Sequence, residues 1–304
     1  MIVKENQIEM VQESLEEKIV ALGKRYKKEQ RQENRKRILS NKLIMTGSIM
    51  LLFIMLLALL TPFLAKHDPL LVNPINRLQP PSSEYWFGTD NLGRDIFSRV
   101  LHGTQTSVMI GFLVACFSGV VGTVVGLISA YYKGLDNILM RIMDGIMAIP
   151  EILLAIALMA ALGPSSQNLI IALSIIFIPT IARTIRSAAL SVKQIPFIEA
   201  LKASGAKSSR IIFLHILPNC ISPLLVQITF VFAYAIIVEA SLSFLGLGTP
   251  PPAPSWGSIL EEGTFLVNVA WWMTLFPGLA IMITVVSLNL LGDGIRDFLD
   301  PHSN

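Results

Sequence analysis

Six long apolar stretches constrain this chain more than any other feature, because each is long enough to cross a membrane. They run from about Leu43 to Ala65, Thr104 to Tyr132, Ile138 to Leu162, Asn168 to Leu190, Asn219 to Leu245 and Val269 to Leu291. A hydrocarbon core of about 30 Å needs roughly 20 consecutive apolar residues in a helix. Within that core every backbone N–H and C=O must find a partner, which leaves helices or a closed barrel. Runs of this length predict helices. The expected fold class is therefore all-α, a polytopic membrane protein with six transmembrane helices. Composition agrees: only 15% of residues are charged, against about a quarter in a soluble domain.

Charge sets the expected orientation. Eleven of the 24 Lys and Arg precede the first span, from Lys4 to Lys42. Six more, Arg183, Arg186, Lys193, Lys202, Lys207 and Arg210, lie in or beside the connection between the fourth and fifth spans. Basic residues flanking spans mark the cytoplasmic side, so both termini are expected there. Anionic lipid and topology account for these clusters, and no nucleic-acid partner is expected. Residues 1–42 form a basic amino-terminal segment. Val11, Leu15, Ile19 and Leu22 give it a stripe suited to an amphipathic helix on the membrane surface, and a solvated arm is the alternative. It lacks the short apolar core and small-residue cleavage site of a secretory signal. The first span, 43–65, is followed by an extracytoplasmic loop, 66–103. A five-helix core occupies 104–298, and a tail covers 299–304. The outer stretch Gly246 to Asn268 carries four prolines and no Lys or Arg.

The connection at about 191–218 is too long and too patterned for a simple turn. Pro196 suits the first turn of a helix. Phe197, Ile198 and Leu201 then recur at helical spacing, and Gly205 stands where a left-handed helix end needs glycine. Ile211, Ile212, Leu214 and Ile216 give a second helix an apolar side, His215 orients it, and Pro218 is expected to break the run. A compact, partly apolar cytoplasmic loop of this kind suits docking to a partner.

Further candidates lie in the spans. Gly111, Gly119, Gly122 and Gly126 share one face of the second span and suit close helix packing; lining a wide pathway is the alternative. Glu151, after Pro150, and Glu239 are carboxylates within spans. Each either faces a pathway or makes a buried hydrogen bond or an interface pair between subunits. In the outer loop, Gly88, Thr89 and Asp90 form a turn leading through Arg94 to Asp95, a helix N-cap. That segment is either a structural turn or a surface for an external partner. The two cysteines, Cys116 and Cys220, read as packing residues, and the four histidines are too scattered for a metal site. No glycine loop ending in Gly-Lys-Ser/Thr occurs, so the chain has no evident ATP site.

Three motifs together carry a resemblance. Glu199-Ala200, Gly205 and Leu217-Pro218 resemble the coupling-loop motif of permease subunits in bacterial ATP-binding-cassette importers. The runs Trp86 to Asp95, Ala240 to Gly248 and Asn289 to Asp297 are similar to the dipeptide/oligopeptide/nickel branch, and to its C-type permease subunit. The similarity spans roughly residue 40 to the carboxyl terminus. One departure is Leu201, where the family often has a second alanine. The resemblance implies a type I importer permease fold in the bacterial inner membrane and a non-catalytic subunit. Implied partners are a second permease, two ATPases that hold ATP and magnesium, and an extracytoplasmic binding protein. No cofactor is expected on this chain itself. Phe197, Glu199, Ala200, Leu201, Gly205, Ile211, His215, Leu217 and Pro218 would form the ATPase-coupling loop. Gly88, Thr89, Asp90, Arg94 and Asp95 would meet the binding protein. Glu151 or Glu239 would contact a peptide amine or a cation. Short peptides are the first expectation for cargo, with glutathione, nickel or a metal chelate as alternatives. A self-contained secondary transporter is the rival from another class, and it leaves the long loop unexplained.

Overall fold

The computed structural model describes residues 36–299 without interruption, together with residues 25, 29, 30, 32 and 33. The stripe at Val11, Leu15, Ile19 and Leu22 and the tail beyond residue 299 lie outside the described residues. Nine helices organise the described part. Helix α1 is Lys42–Leu64 and α2 is Ile96–Tyr131. Helices α3, Lys133–Met147, and α4, Glu151–Leu162, are followed by α5, Ser166–Lys193. A short α6, Pro196–Ala203, leads to α7, Ser208–Phe244. The chain ends with α8, Trp256–Thr264, and α9, Trp272–Leu299. Among the described residues the one extended pairing is an isolated bridge between Thr89 and Asp95.

Local chemistry explains where these helices begin. Asn41 Oδ1 accepts from the N–H groups of Leu43 and Ile44 at 2.9 and 3.1 Å. Asp95 does the same for Phe97 and Ser98, and Ser165 for Asn168. Each cap satisfies donors that a helix start leaves without an intrahelical partner. Ser255 and Ser258 make a reciprocal capping box at α8.

Two boundaries differ from the sequence reading. Helix α2 starts at Ile96, inside the segment assigned to the outer loop, because the Asp95 cap precedes the purely apolar run. The predicted third span is broken: α3 and α4 meet at 91°. Pro150 lacks an N–H, and its ring disfavours helical geometry at Ile149. Helix α3 is amphipathic and carries Asp136, Arg141 and Asp144. Among the described residues five helices are therefore long and apolar enough to cross a membrane, or six if the bent pair counts as one span.

Helix α2 is the hub. A methyl group built at Gly126 would lie 2.6 Å from the Ala182 carbonyl oxygen, and one at Gly122 would lie 2.8 Å from Ile181 Cβ, both on α5. Gly111 and Gly119 instead approach Ile236 and Ile228 of α7. The small-residue face therefore seats two partners. Without a hydrophobic drive between helices in lipid, such close van der Waals contact is what holds them together. Helices α1 and α9 meet in the same way, at Gly47 against the Leu291 amide and at Gly294 against the Ile44 backbone. On its other side α1 presents Leu52, Leu59 and Phe63 outward, as a lipid-facing helix should.

Gly126→Leu is expected to prevent α2 and α5 from closing, lowering both membrane abundance and thermal stability in detergent. Gly134→Ala, at a helix position with nothing within 4 Å, should be neutral or stabilising by up to about 1 kcal/mol. Fluorescence-detected size exclusion after heating would compare the two. A native melting profile for Gly126→Leu would refute the packing account.

Candidate functional site

The connection between α5 and α7 is a rigid, bundle-anchored unit. Pro196 occupies the first turn of α6, and Ile198 is 1% exposed. At the end of α6, Gly205 takes φ +78°. Its N–H reaches the Lys202 carbonyl, and the Ala206 N–H reaches that of Leu201, both at 3.0 Å. This paired arrangement closes a helix on a left-handed residue, as the position of Gly205 predicted. Ile211, Ile212 and Ile216 are buried and share one apolar cluster with α2, α5 and α7. Pro218 does not break the run. The turn Ile211–Ile216 is π-helical, and the Leu217 N–H bonds to the Ile212 carbonyl five residues back. This wider turn accommodates a proline that can donate no hydrogen bond, and α7 continues through it.

The unit is also fastened to the end of α2. Lys193 Nζ donates to the carbonyls of Ala130 and Tyr131 at 2.7 and 3.0 Å. It thereby satisfies acceptors that the helix end leaves open. The Tyr131 ring lies 5.5 Å from both Lys193 Nζ and Lys202 Nζ, and its hydroxyl donates to Ser208 Oγ at 3.2 Å. Arg186 makes a two-pronged pair with Asp136 of α3, both bonds 2.6 Å. Sequence reading counted Lys193 and Arg186 only as charges and passed over Tyr131. Their partners lie more than forty residues away, so no local pattern marks them.

What remains outward is small and mixed. Phe197 is 52% exposed and packs edge-on against His215, ring centroids 5.3 Å apart. Glu199, Ala200 and Pro218 are exposed, and Leu201 and Leu217 are half-buried. Phe213 and Leu214 also face outward, beside a hollow of about 800 Å³ floored by Gly205, Lys207 and Arg210. Two expectations change. Ile211 is fully buried, so it anchors the unit and cannot meet a partner. Leu214 lies on the exposed side, because the π-helical turn shifts the register of the apolar face.

At the opposite end of the bundle, the segment 88–95 is largely interior. Thr89 and Asp90 are fully buried, with Gly88 and Asp95 nearly so. Asp90 accepts from the backbone of Leu92 and Arg94 and from both guanidinium groups, Arg94 at 2.6 Å and Arg99 at 2.5 Å. Glu262 of α8 accepts from the same two arginines. Trp272 Nε1 donates to the Thr89 carbonyl at 3.0 Å. Gly88, Thr89, Asp90 and Asp95 are thus corrected from candidate docking residues to structural ones: their polar atoms are already spent inside the cap. Arg94 keeps only a sliver of exposure.

The two span carboxylates part company. Glu239 is completely enclosed. Ser107 and Ser243 donate to its two oxygens at 3.1 and 2.8 Å, so it faces neither a pathway nor a subunit surface. Glu151 is exposed at the first turn of α4 and lines a hollow with Tyr234, Thr180 and Gln227. Among the described residues no group of three His, Cys, Asp or Glu could hold a metal ion.

Comparison with known proteins adds to this geometry. Residues 122–304 match the family described as binding-protein-dependent transport system inner membrane component. Residues 29–81 match the N-terminal TM domain of oligopeptide transport permease C. A relative from Brucella abortus biovar 1 (strain 9-941) is 48% identical over 266 residues, 88% of this chain and 90% of its own. The dipeptide transport system permease protein DppC of Alkalihalophilus pseudofirmus is 45% identical, covering 88% of each chain. Among solved structures, an inward-facing conformation of the MetNI methionine ABC transporter aligns with TM-score 0.58 and 20% identity, over 67% of this chain and 98% of that one. At that identity the likeness establishes a shared fold.

Arg99→Met would leave Asp90 and Glu262 sharing the single guanidinium of Arg94, an under-compensated pair of carboxylates whose loss of stability should approach the roughly 3–5 kcal/mol of a broken buried ion pair. It should sharply lower the melting temperature in detergent. Arg99→Lys should recover part of the loss, since one ammonium cannot reproduce a forked guanidinium. Equal melting of Arg99→Met and wild type would show that the ionic cluster does not hold the cap.

Proposed function

The chain belongs to the family of binding-protein-dependent transport system inner membrane components, and from that premise we propose that it is a permease subunit importing short peptides at the expense of ATP hydrolysed elsewhere. The observation that carries this reading is the α5–α7 connection. It is tied to the membrane helices by Ile198, Ile211, Ile212 and Ile216, yet offers Phe197, Glu199, Phe213 and Leu214 to a partner.

In this reading the connection faces the cytoplasm, as do both termini, and docks on one of two ATPase subunits. A second, homologous permease completes the pathway, and an extracytoplasmic binding protein delivers cargo. ATP and magnesium are held by the ATPases, and this chain performs no chemistry. ATP binding closes the ATPases and drags the docked connection. Because Lys193 and Tyr131 fasten that connection to α2, its displacement is transmitted to the hub helix and not absorbed by a slack loop. Alternating access follows from reorienting α2, α5 and α7 together. The peptide cargo is supported by the names of relatives such as the dipeptide permease DppC.

Gentle co-purification of the tagged chain is the direct test of assembly. A second permease and two ATPases should copurify, and peptide uptake should require ATP while resisting collapse of ion gradients. Recovery of this chain alone, still active in transport, would favour a secondary transporter. Gly205→Val strains a left-handed turn by about 1–2 kcal/mol, which is roughly 5- to 30-fold in the population of intact turn. It should lower uptake per ATP hydrolysed at unchanged membrane abundance. Wild-type coupling in that variant would sink the lever mechanism.

A further inference from the structure

We infer that Glu151, with Tyr234, Thr180 and Gln227 around it, forms a site inside the membrane that receives the protonated amino terminus of the transported peptide. This rests on the peptide-import reading above and assigns it a location in the chain.

Depth comes first. Helix α4 has 12 residues, about 18 Å of helix at 1.5 Å per residue. It ends at Gly163, in the short turn before α5. A hydrocarbon core is about 30 Å thick, so the first residue of α4 stops well short of the other boundary. Thr180, midway along α5, lines the same hollow as Glu151. Both observations place the carboxylate inside the hydrocarbon depth.

Its surroundings come second. Glu151 is exposed on this chain, and none of the ion pairs among the described residues includes it. A charged side chain left facing lipid at that depth costs about 2.5–3.5 kcal/mol or more. Glu239 avoids that cost by enclosure among serines; Glu151 does not. Three polar side chains, Tyr234, Thr180 and Gln227, stand beside it in a hollow otherwise walled by Phe177, Phe230 and Val231. Tyr234 is oriented by edge-on packing with Phe177 at 5.8 Å, and its hydroxyl lies close enough to the Glu151 carboxylate to interact with it. Gln227 accepts from Thr184 at 3.4 Å. A second hollow of about 490 Å³ shares Gln227 and Phe230 with the first and extends to Arg296, near the end of α9. The two hollows together lead from Glu151 past Gln227 toward the end of the bundle that carries the α5–α7 connection. A carboxylate beside hydroxyl and amide groups, open to a pathway, recognises an ammonium group by charge and hydrogen bonding.

The test uses the whole reconstituted complex with Cys116 and Cys220 replaced by alanine. Glu151→Cys should react with a membrane-impermeant cationic thiol reagent at least roughly tenfold faster than Leu153→Cys, and added dipeptide with its binding protein should slow it. Separately, Glu151→Gln should lower kcat/KM for peptide uptake by roughly tenfold, the scale of one charge-assisted hydrogen bond. Glu151→Asp should retain part of the activity, and binding-protein-stimulated ATP hydrolysis should persist. Equal labelling at residues 151 and 153 would overturn the inference. So would loss of ATPase stimulation together with uptake in Glu151→Gln, which marks a pair between subunits. Wild-type uptake with Glu151→Gln unaffected overturns this inference alone. Failure of the wild-type complex to take up peptide overturns the cargo reading and this inference with it.

Discussion

The backbone-to-backbone contact of α2 with α5 is the constraint on which the rest of this structure depends. At Gly126 there is no room for a single added carbon against the Ala182 carbonyl. In lipid there is little hydrophobic gain in pressing two apolar helices together, so the contact must be close to be worth anything. Once it forms, the end of α2 lies beside the end of α5. Lys193 can then cap the last carbonyls of α2, and Tyr131 can meet Ser208. The α5–α7 connection inherits its rigidity from that arrangement. A looser α2–α5 contact would leave the connection tethered only by its ends.

Three charged groups within or beside the bundle illustrate three ways of meeting the same electrostatic demand. Arg99 is paired on both sides by carboxylates, and the resulting cluster ties the outer loop to α8. Glu239 is enclosed by serine hydroxyls that join α2 and α7. Glu151 is in none of the ion pairs among the described residues and is not enclosed; it stands exposed beside a hollow that it shares with Tyr234. The first two are architectural. The third is left exposed on this chain.

The outer cap has a further consequence for how the motif Gly88 to Asp95 should be understood. Its polar residues look like a recognition surface when read in one dimension. In three dimensions they are consumed by the loop itself: Asp90 gathers two backbone amides and two guanidinium groups, and Trp272 fills the space beside Gly88. Such a motif is held by what it does for the fold.

Sequence alone determined the helical class, the approximate positions of five of the spans, the left-handed turn at Gly205 and the cap at Asp95. Each follows from local physics: hydrocarbon thickness, the steric freedom of glycine, and orphan amides at a helix start. The small-residue face of α2 was legible too, because its spacing is a property of one helix. Tertiary structure alone decided which neighbours that face would meet. It alone made Ile211 an anchor and turned Leu214 outward through a π-helical turn. It also separated Glu239 from Glu151, although both are carboxylates in apolar runs. The reason is common to all of these. Burial and pairing are set by partners remote in the chain, such as Asp136 with Arg186 or Arg99 with Glu262, and no local pattern records where a remote partner will stand.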